Sequence, residues 1–293
     1  MQAFHNNPEV KSALLAKLAS TEAASQIIPK TLTWDGETGS VVGFLTQGES
    51  LDAWEQQTGL PAWLALLVDT LAASVAIDAA GQPAPLSHAA VATALLAAVP
   101  LGAEPRHAGA TLIQRLLQDG ELRQFAAPGD AALSQTIEAV AALHAQTCSD
   151  SAPSPAQWRA LRKAATAMVD QLKGRVDRQL GGSIEAACWD PALSATTVSD
   201  TLRSWFYAVD AQSEQACGWA TADDELVRTR LDSLYKEAVK TVPAEDIDVF
   251  ALYEAQYPEE AQRTQAFFAS VKATRGQALL LVLKAAEQSL AGA

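Results

Sequence analysis

Apolar residues recur at helical spacing through most of this chain. The clearest run is LPAWLALLVDTLAASV, residues 60–75, in which Leu64, Leu67, Val68, Leu71 and Val75 mark one face and the flanking positions are also apolar. A stripe that wide predicts a helix buried on most sides. Upstream, Asn7 stands as an N-cap before Pro8, and Val10, Leu14 and Leu18 repeat every four residues, which predicts a helix over residues 8–28 ended by Pro29. Two β-prone runs follow, Thr31 to Trp34 and Ser40 to Phe44, around the turn-rich Asp35-Gly-Glu-Thr-Gly39. They predict one small hairpin near residues 31–45, laid against helices because a lone two-stranded ribbon is marginal in water.

From Ser50 the pattern is helix after helix. Short segments are expected from Ser50 to about Gly59 and from Pro61 through the apolar run, with a break at Gly81-Gln-Pro-Ala-Pro85. Helices over 87–99, 104–118 and 130–147 come next, and their short connections favour antiparallel neighbours. The polar, proline-bearing stretch Ser149-Asp-Ser-Ala-Pro-Ser-Pro155 is the best linker. Beyond it, Trp158, Leu161, Ala165, Met168, Leu172 and Val176 predict one helix over 155–180, stopped by Gly181-Gly182, and further helices fit 194–212, 223–242 and 258–290. Pairs of helices every forty residues or so would suit a solenoid, but no residue signature repeats, so a compact bundle is the simpler reading. The expected fold is all-α: a two-lobed multi-helix bundle, with a helical domain at 1–148 carrying the hairpin and a helical bundle domain at 154–293.

Composition narrows the function. The 293 residues can bury a large core without disulfides, and the three cysteines, Cys148, Cys188 and Cys217, form no C-x-x-C pair. With no basic-then-apolar leader at Met1-Gln-Ala-Phe-His5, the expected location is the cytoplasm. The longest candidate for a membrane span, residues 278–283, is far short of the roughly 20 residues that cross a bilayer, so no membrane partner is expected. A formal charge of −13 repels phosphate backbones, which disfavours nucleic acid.

Three segments, MQAFHNNP at residues 1–8, TWDGETGSVVGF at 33–44 and LPAWLALLVDTL at 60–71, resemble a family of uncharacterised bacterial proteins. The resemblance spans roughly the first 77 residues and attaches no activity. Members of that family carry Cys and His around the hairpin; the matching positions here are Ser40, Phe44 and Gln47, so any ligand cluster there is lost. Asp69 matches a polar position of the family's helix.

No H-E-x-x-H, P-loop or dinucleotide fingerprint occurs, and no cofactor or metal is expected. His144 and Cys148 are four apart and could share a helix face, but two ligands fall short of a closed metal site. Ser40, between Gly39 and Gly43, lacks the order of a nucleophile elbow, and Cys188 has no neighbouring His to activate it. Asp69 is the one weak catalytic candidate: a carboxylate in an apolar helix must be paired, hydrogen-bonded or protonated, either as an acid/base group or as the partner of an arginine such as Arg106 or Arg115.

Arg159, Arg162, Lys163, Lys173, Arg175 and Arg178, against Asp170 and Asp177, make 155–180 a basic element in an acidic chain. It could neutralise acids such as Asp223-Asp224-Glu225, which charged helix faces most often do, or dock another subunit or an anionic ligand. Trp205-Phe206-Tyr207 covers several helix faces, so part of it packs inside while one ring reaches a partner surface. Two readings follow: a non-enzymatic binding or interaction protein, with a homo-oligomer or another protein as partner, and, as the alternative, an enzyme whose inter-helix pocket surrounds Asp69. Missing catalytic motifs favour the first.

Overall fold

The computed structural model describes residues 2–75, 86–149 and 152–293. The expected breaker at 81–85 and linker positions 150 and 151 lie outside the described residues. Among those described, the chain is all-helical, with fifteen α-helices and no strand. The first half holds α1 (Pro8–Leu18), α2 (Thr21–Gln26), α3 (Val41–Thr46), α4 (Leu51–Thr58), α5 (Ala62–Ala73), α6 (His88–Ala98), α7 (Ala108–Gln118), α8 (Gly120–Arg123) and α9 (Ala131–Thr147). The second holds α10 (Pro155–Val169), α11 (Arg175–Ala186), α12 (Thr197–Ala216), α13 (Thr221–Ala238), α14 (Val249–Gln256) and α15 (Pro258–Ala291).

Helix α5 lies in the middle, buried from Trp63 through Ala72 and packed by α3, α4, α6 and α12. Each such leucine contributes roughly 1.5–3 kcal/mol by leaving water. The core is contiguous: Leu64 and Leu67 of α5, Leu112 of α7, Trp205 and Phe206 of α12 and Val282 of α15 belong to one cluster. By length and composition alone, Pro258–Ala291 could cross a membrane; here its second half is buried against α6, α7 and α12 through Ala278, Leu279, Val282 and Leu283.

Local signals explain many of the helix starts. The Asn7 side chain accepts from the Glu9 N–H, and Ser50, Ser87 and Asp130 cap α4, α6 and α9 in the same way. Gly59 ends α4 in the left-handed region. Before α1, Phe4, His5 and Asn6 form a left-handed turn, φ 53–55°, which costs each residue about 1–2 kcal/mol. Full burial of the Phe4 ring offsets part of that cost, and the His5 Nε2 contact with the Gln56 carbonyl at 2.9 Å helps hold the turn.

Three expected elements are corrected. Residues 8–28 are two helices, because Ser20 caps a new start by accepting from Ala23. The basic segment 155–180 is also two, broken between Asp170 and Gly174, and Gly181 and Gly182 stop nothing: both lie within α11. A Cβ on Gly181 would stand 2.8 Å from Leu172 and 2.9 Å from Val169, so this glycine lets α10 and α11 fold closely together.

The hairpin is the third. Isolated bridges join Gly39 to Ile27 and Trp34, and Asp35 builds the expected turn by accepting from the N–H groups of Glu37 and Thr38, but no ladder forms. Residues 41–46 are instead the helix α3, all six buried. Ser40 Oγ accepts from Gly43 at 3.0 Å, a cap that outweighs the β preference of Val41 and Val42. The Thr33 carbonyl fits against Gly39 and Gly43 only because neither has a side chain; a Cβ on Gly43 would stand 1.9 Å from that oxygen. Gly43→Ala should therefore lower stability by about 2 kcal/mol or more in chemical denaturation. Gly120→Ala, where a Cβ meets nothing within 4 Å, should leave the midpoint nearly unchanged.

Candidate functional site

Asp69, the catalytic candidate, has no exposed surface. Its Oδ1 accepts from the Val42 N–H at 2.9 Å and its Oδ2 from the Leu32 N–H at 2.8 Å, with further hydrogen bonds from Ser40 and the Val41 backbone. Neither Arg106 nor Arg115 is its partner: Arg106 lines a recess with Trp63, and Arg115 bonds Gln288. The carboxylate supplies a second cap to α3 and fixes Leu32 at φ 48°. Lys17 closes the other end of α3, donating to the Phe44 and Leu45 carbonyls at 2.7 and 3.0 Å. Lys11 treats α6 likewise through Ala97 and Val99. Burial pushes the Asp69 carboxyl up to about 6, against the pull of those hydrogen bonds, and burial lowers both lysines.

Among the described residues, the recesses away from Asp69 at the α5, α7 and α10 surfaces are small or open. One of about 160 Å³ lies among Pro61, Trp63, Pro105, Arg106 and Ala192, below the size that encloses a typical ligand. Asp69 lines neither it nor the open grooves on α7 and α10. His144 and Cys148 do not converge. His144 is buried, its Nε2 donates to the Ala187 carbonyl at 2.7 Å and its ring meets Trp158 edge-on, whereas exposed Cys148 faces Thr111. Burial lowers His144 to about 4, partly opposed by the Ala187 bond and Asp190, and raises the Cys188 thiol to about 12. A thiol held there is a poor nucleophile. No group of three metal-ligating side chains occurs among the described residues.

The basic residues divide by role. Arg159, Arg162 and Lys163 line an open groove of about 440 Å³ on α10 together with Asp170. The Arg162 guanidinium stacks on Trp189, 3.8 Å from the ring centre, and Trp189 and Leu193 are both exposed. Lys173 and Arg178 are exposed singly, while Arg175 pairs with Glu214. The expected neutralisation of residues 223–225 is corrected: Asp223 pairs with Arg263 at 2.8 Å and Asp224 accepts the Trp219 indole N–H. Trp205 is a core residue set edge-on to Phe206 and has no access to a partner; Tyr207 is the ring that reaches the surface.

Exposed apolar side chains gather where no candidate residue is expected from the sequence. Helix α13 has no buried residue over its eighteen positions. It packs on α14, and α14 on α15, to make a three-helix arm over residues 221–268. A small separate core holds the arm: Trp219 stacks on Phe267 at 4.0 Å, and the Tyr253 hydroxyl meets Thr264 at 3.3 Å. Arg230 lies over Tyr257 and pairs with Glu260. Seven of the twelve exposed large apolar side chains among the described residues belong to this arm, including Tyr235, Val239, Val242 and Phe250. A periodic pattern marks α13 as amphipathic but says nothing of whether its apolar stripe meets the chain's own core.

Comparison with protein-family models, with curated proteins and with solved structures finds no match to this chain.

Asp69 and His144 bias stability with pH in opposite directions. Between 3.8 and about 6 the native state keeps an Asp69 proton that the unfolded chain releases, so stability falls as pH rises. Between about 4 and 6.5 the unfolded chain binds a His144 proton that the native state refuses, so stability rises. Asp69→Asn should expose the His144 trend, steepening the gain from pH 4 to 6 by up to about 3 kcal/mol in urea titrations. An unchanged slope would show that Asp69 does not titrate in this window.

Proposed function

We propose that this chain is a non-enzymatic interaction protein that acts through its helical surface, with the α13–α14–α15 arm as the partner-facing element. One observation carries the reading: an eighteen-residue helix with no buried side chain sits in an arm that concentrates exposed apolar residues. Contiguous exposed apolar surface is disfavoured in water and marks sites that a partner covers. The fate of Asp69 supports the same reading. An acid/base group must reach a substrate, and this carboxylate is enclosed and committed to backbone donors. The partner is a protein, either a second copy or another chain; a net charge of −13 speaks against nucleic acid.

A photo-crosslinking residue in place of Val239 should give a discrete adduct in cells, while the same residue at Ser12, exposed on α1, should give little. Tyr235→Ser with Phe250→Ser should abolish the Val239 adduct at unchanged helix content, because neither ring is buried. Equal labelling at both positions would overturn the assignment of the arm.

A further inference from the structure

We infer that the partner of the arm is a second copy of this chain, whose α10 groove receives the arm's acidic tip. The inference rests on the arm being a partner surface and adds which surface it meets. Residues 219–268 contain eleven acids and five bases, an excess of negative charge on the element that already exposes most of the large apolar side chains. At the arm's base that charge is consumed internally, Asp223 by Arg263 and Glu260 by Arg230. At the tip, where the chain turns from α13 into α14, exposed Glu245 and Asp246 form no ion pair among the described residues. Val242 and Phe250, both exposed, flank them.

The complementary surface is on the same molecule. Helix α10 carries Arg159, Arg162 and Lys163 and no acid; no other described helix has three cations without an acid. Those three cations line the groove, whose one acidic member is Asp170. Trp189, stacked on Arg162, stands exposed beside it, and Leu193, four residues further along the chain, is exposed at 81%, so this region also pairs cations with apolar area. Stacking on Trp189 holds the Arg162 guanidinium in place, lowering the conformational entropy lost when it meets a carboxylate. Acids flanked by Val242 and Phe250 on one copy match cations flanked by Trp189 and Leu193 on the next. Two different patches make a heterologous contact, which closes into a ring or reciprocal pair or else propagates as a chain.

The test is charge exchange, read by light scattering behind a sizing column across a concentration series at low and raised salt. The wild-type protein should rise in mass above 30.9 kDa with concentration and fall back as salt screens the contact. Arg159→Glu with Arg162→Glu and Lys163→Glu should weaken association at least tenfold, and so should Glu245→Lys with Asp246→Lys. The arm variant keeps the test alive if the α10 variant fails to fold. Mixing the two variants should restore assembly, since the mixture again holds an acidic tip and a basic groove. A wild type that stays monomeric at low salt overturns the inference, as does an oligomer indifferent to both variants. A monomer whose Val239 crosslinks to another chain leaves the arm reading standing without this partner; a monomer with no such adduct overturns both.

Discussion

A carboxylate with no access to water must be solvated by the protein around it, and Asp69 is solvated by the backbone. Its two oxygens collect N–H groups from Leu32 and Val42, which precede it by 37 and 27 residues in the chain. The interaction ties the irregular segment before α3 to the central helix and orients α3 itself. Lys17 completes the arrangement from α1, so a six-residue helix has an anion at its positive end and a cation at its negative end. Without it, the Val42 N–H at the start of α3 and the Leu45 carbonyl near its end would be buried with no partner.

The arrangement also fixes how the molecule divides its labour. The helices around α5 form a closed core in which Asp69, Lys11, Lys17 and His144 are spent on holding segments together. The arm adds little to that core and keeps much of its apolar area in water. The α10 groove with Trp189 has the opposite sign of charge and the same mixture of ring and aliphatic surface. Charge and apolar area thus coincide at the surface, on the arm and at the α10 groove.

How much was legible in the sequence depends on how local the cause was. Asn7, Ser50, Ser87 and Asp130 act on the N–H groups two or three residues ahead, so the helices they begin could be read directly. The wide apolar stripe of α5 identified the buried helix. Helix α3 is hidden in the sequence because Val41 and Val42 suit a strand and one of its caps, Asp69, arrives from 27 residues away. Gly181 read as a stop signal, yet its role depends on Leu172 and Val169, which only the folded pair brings near. Asp69 was recognisable as a group needing partners; that they would be backbone donors was not, since Leu32 had to adopt a left-handed conformation to offer one. The arm's exposure is not legible in the sequence, because exposure is a property of neighbours and no pattern along α13 records their absence.

The clamp on α3 has a consequence for the order in which the chain folds. Six residues are far too few for a helix to persist alone in water. The groups that stabilise it sit on α1 and α5, so it can take shape only once those two helices have met. Formation of α3 is thus a late event that locks an assembled neighbourhood, and changes at Ser40 or Gly43 would act chiefly by speeding unfolding while leaving the folding rate nearly untouched.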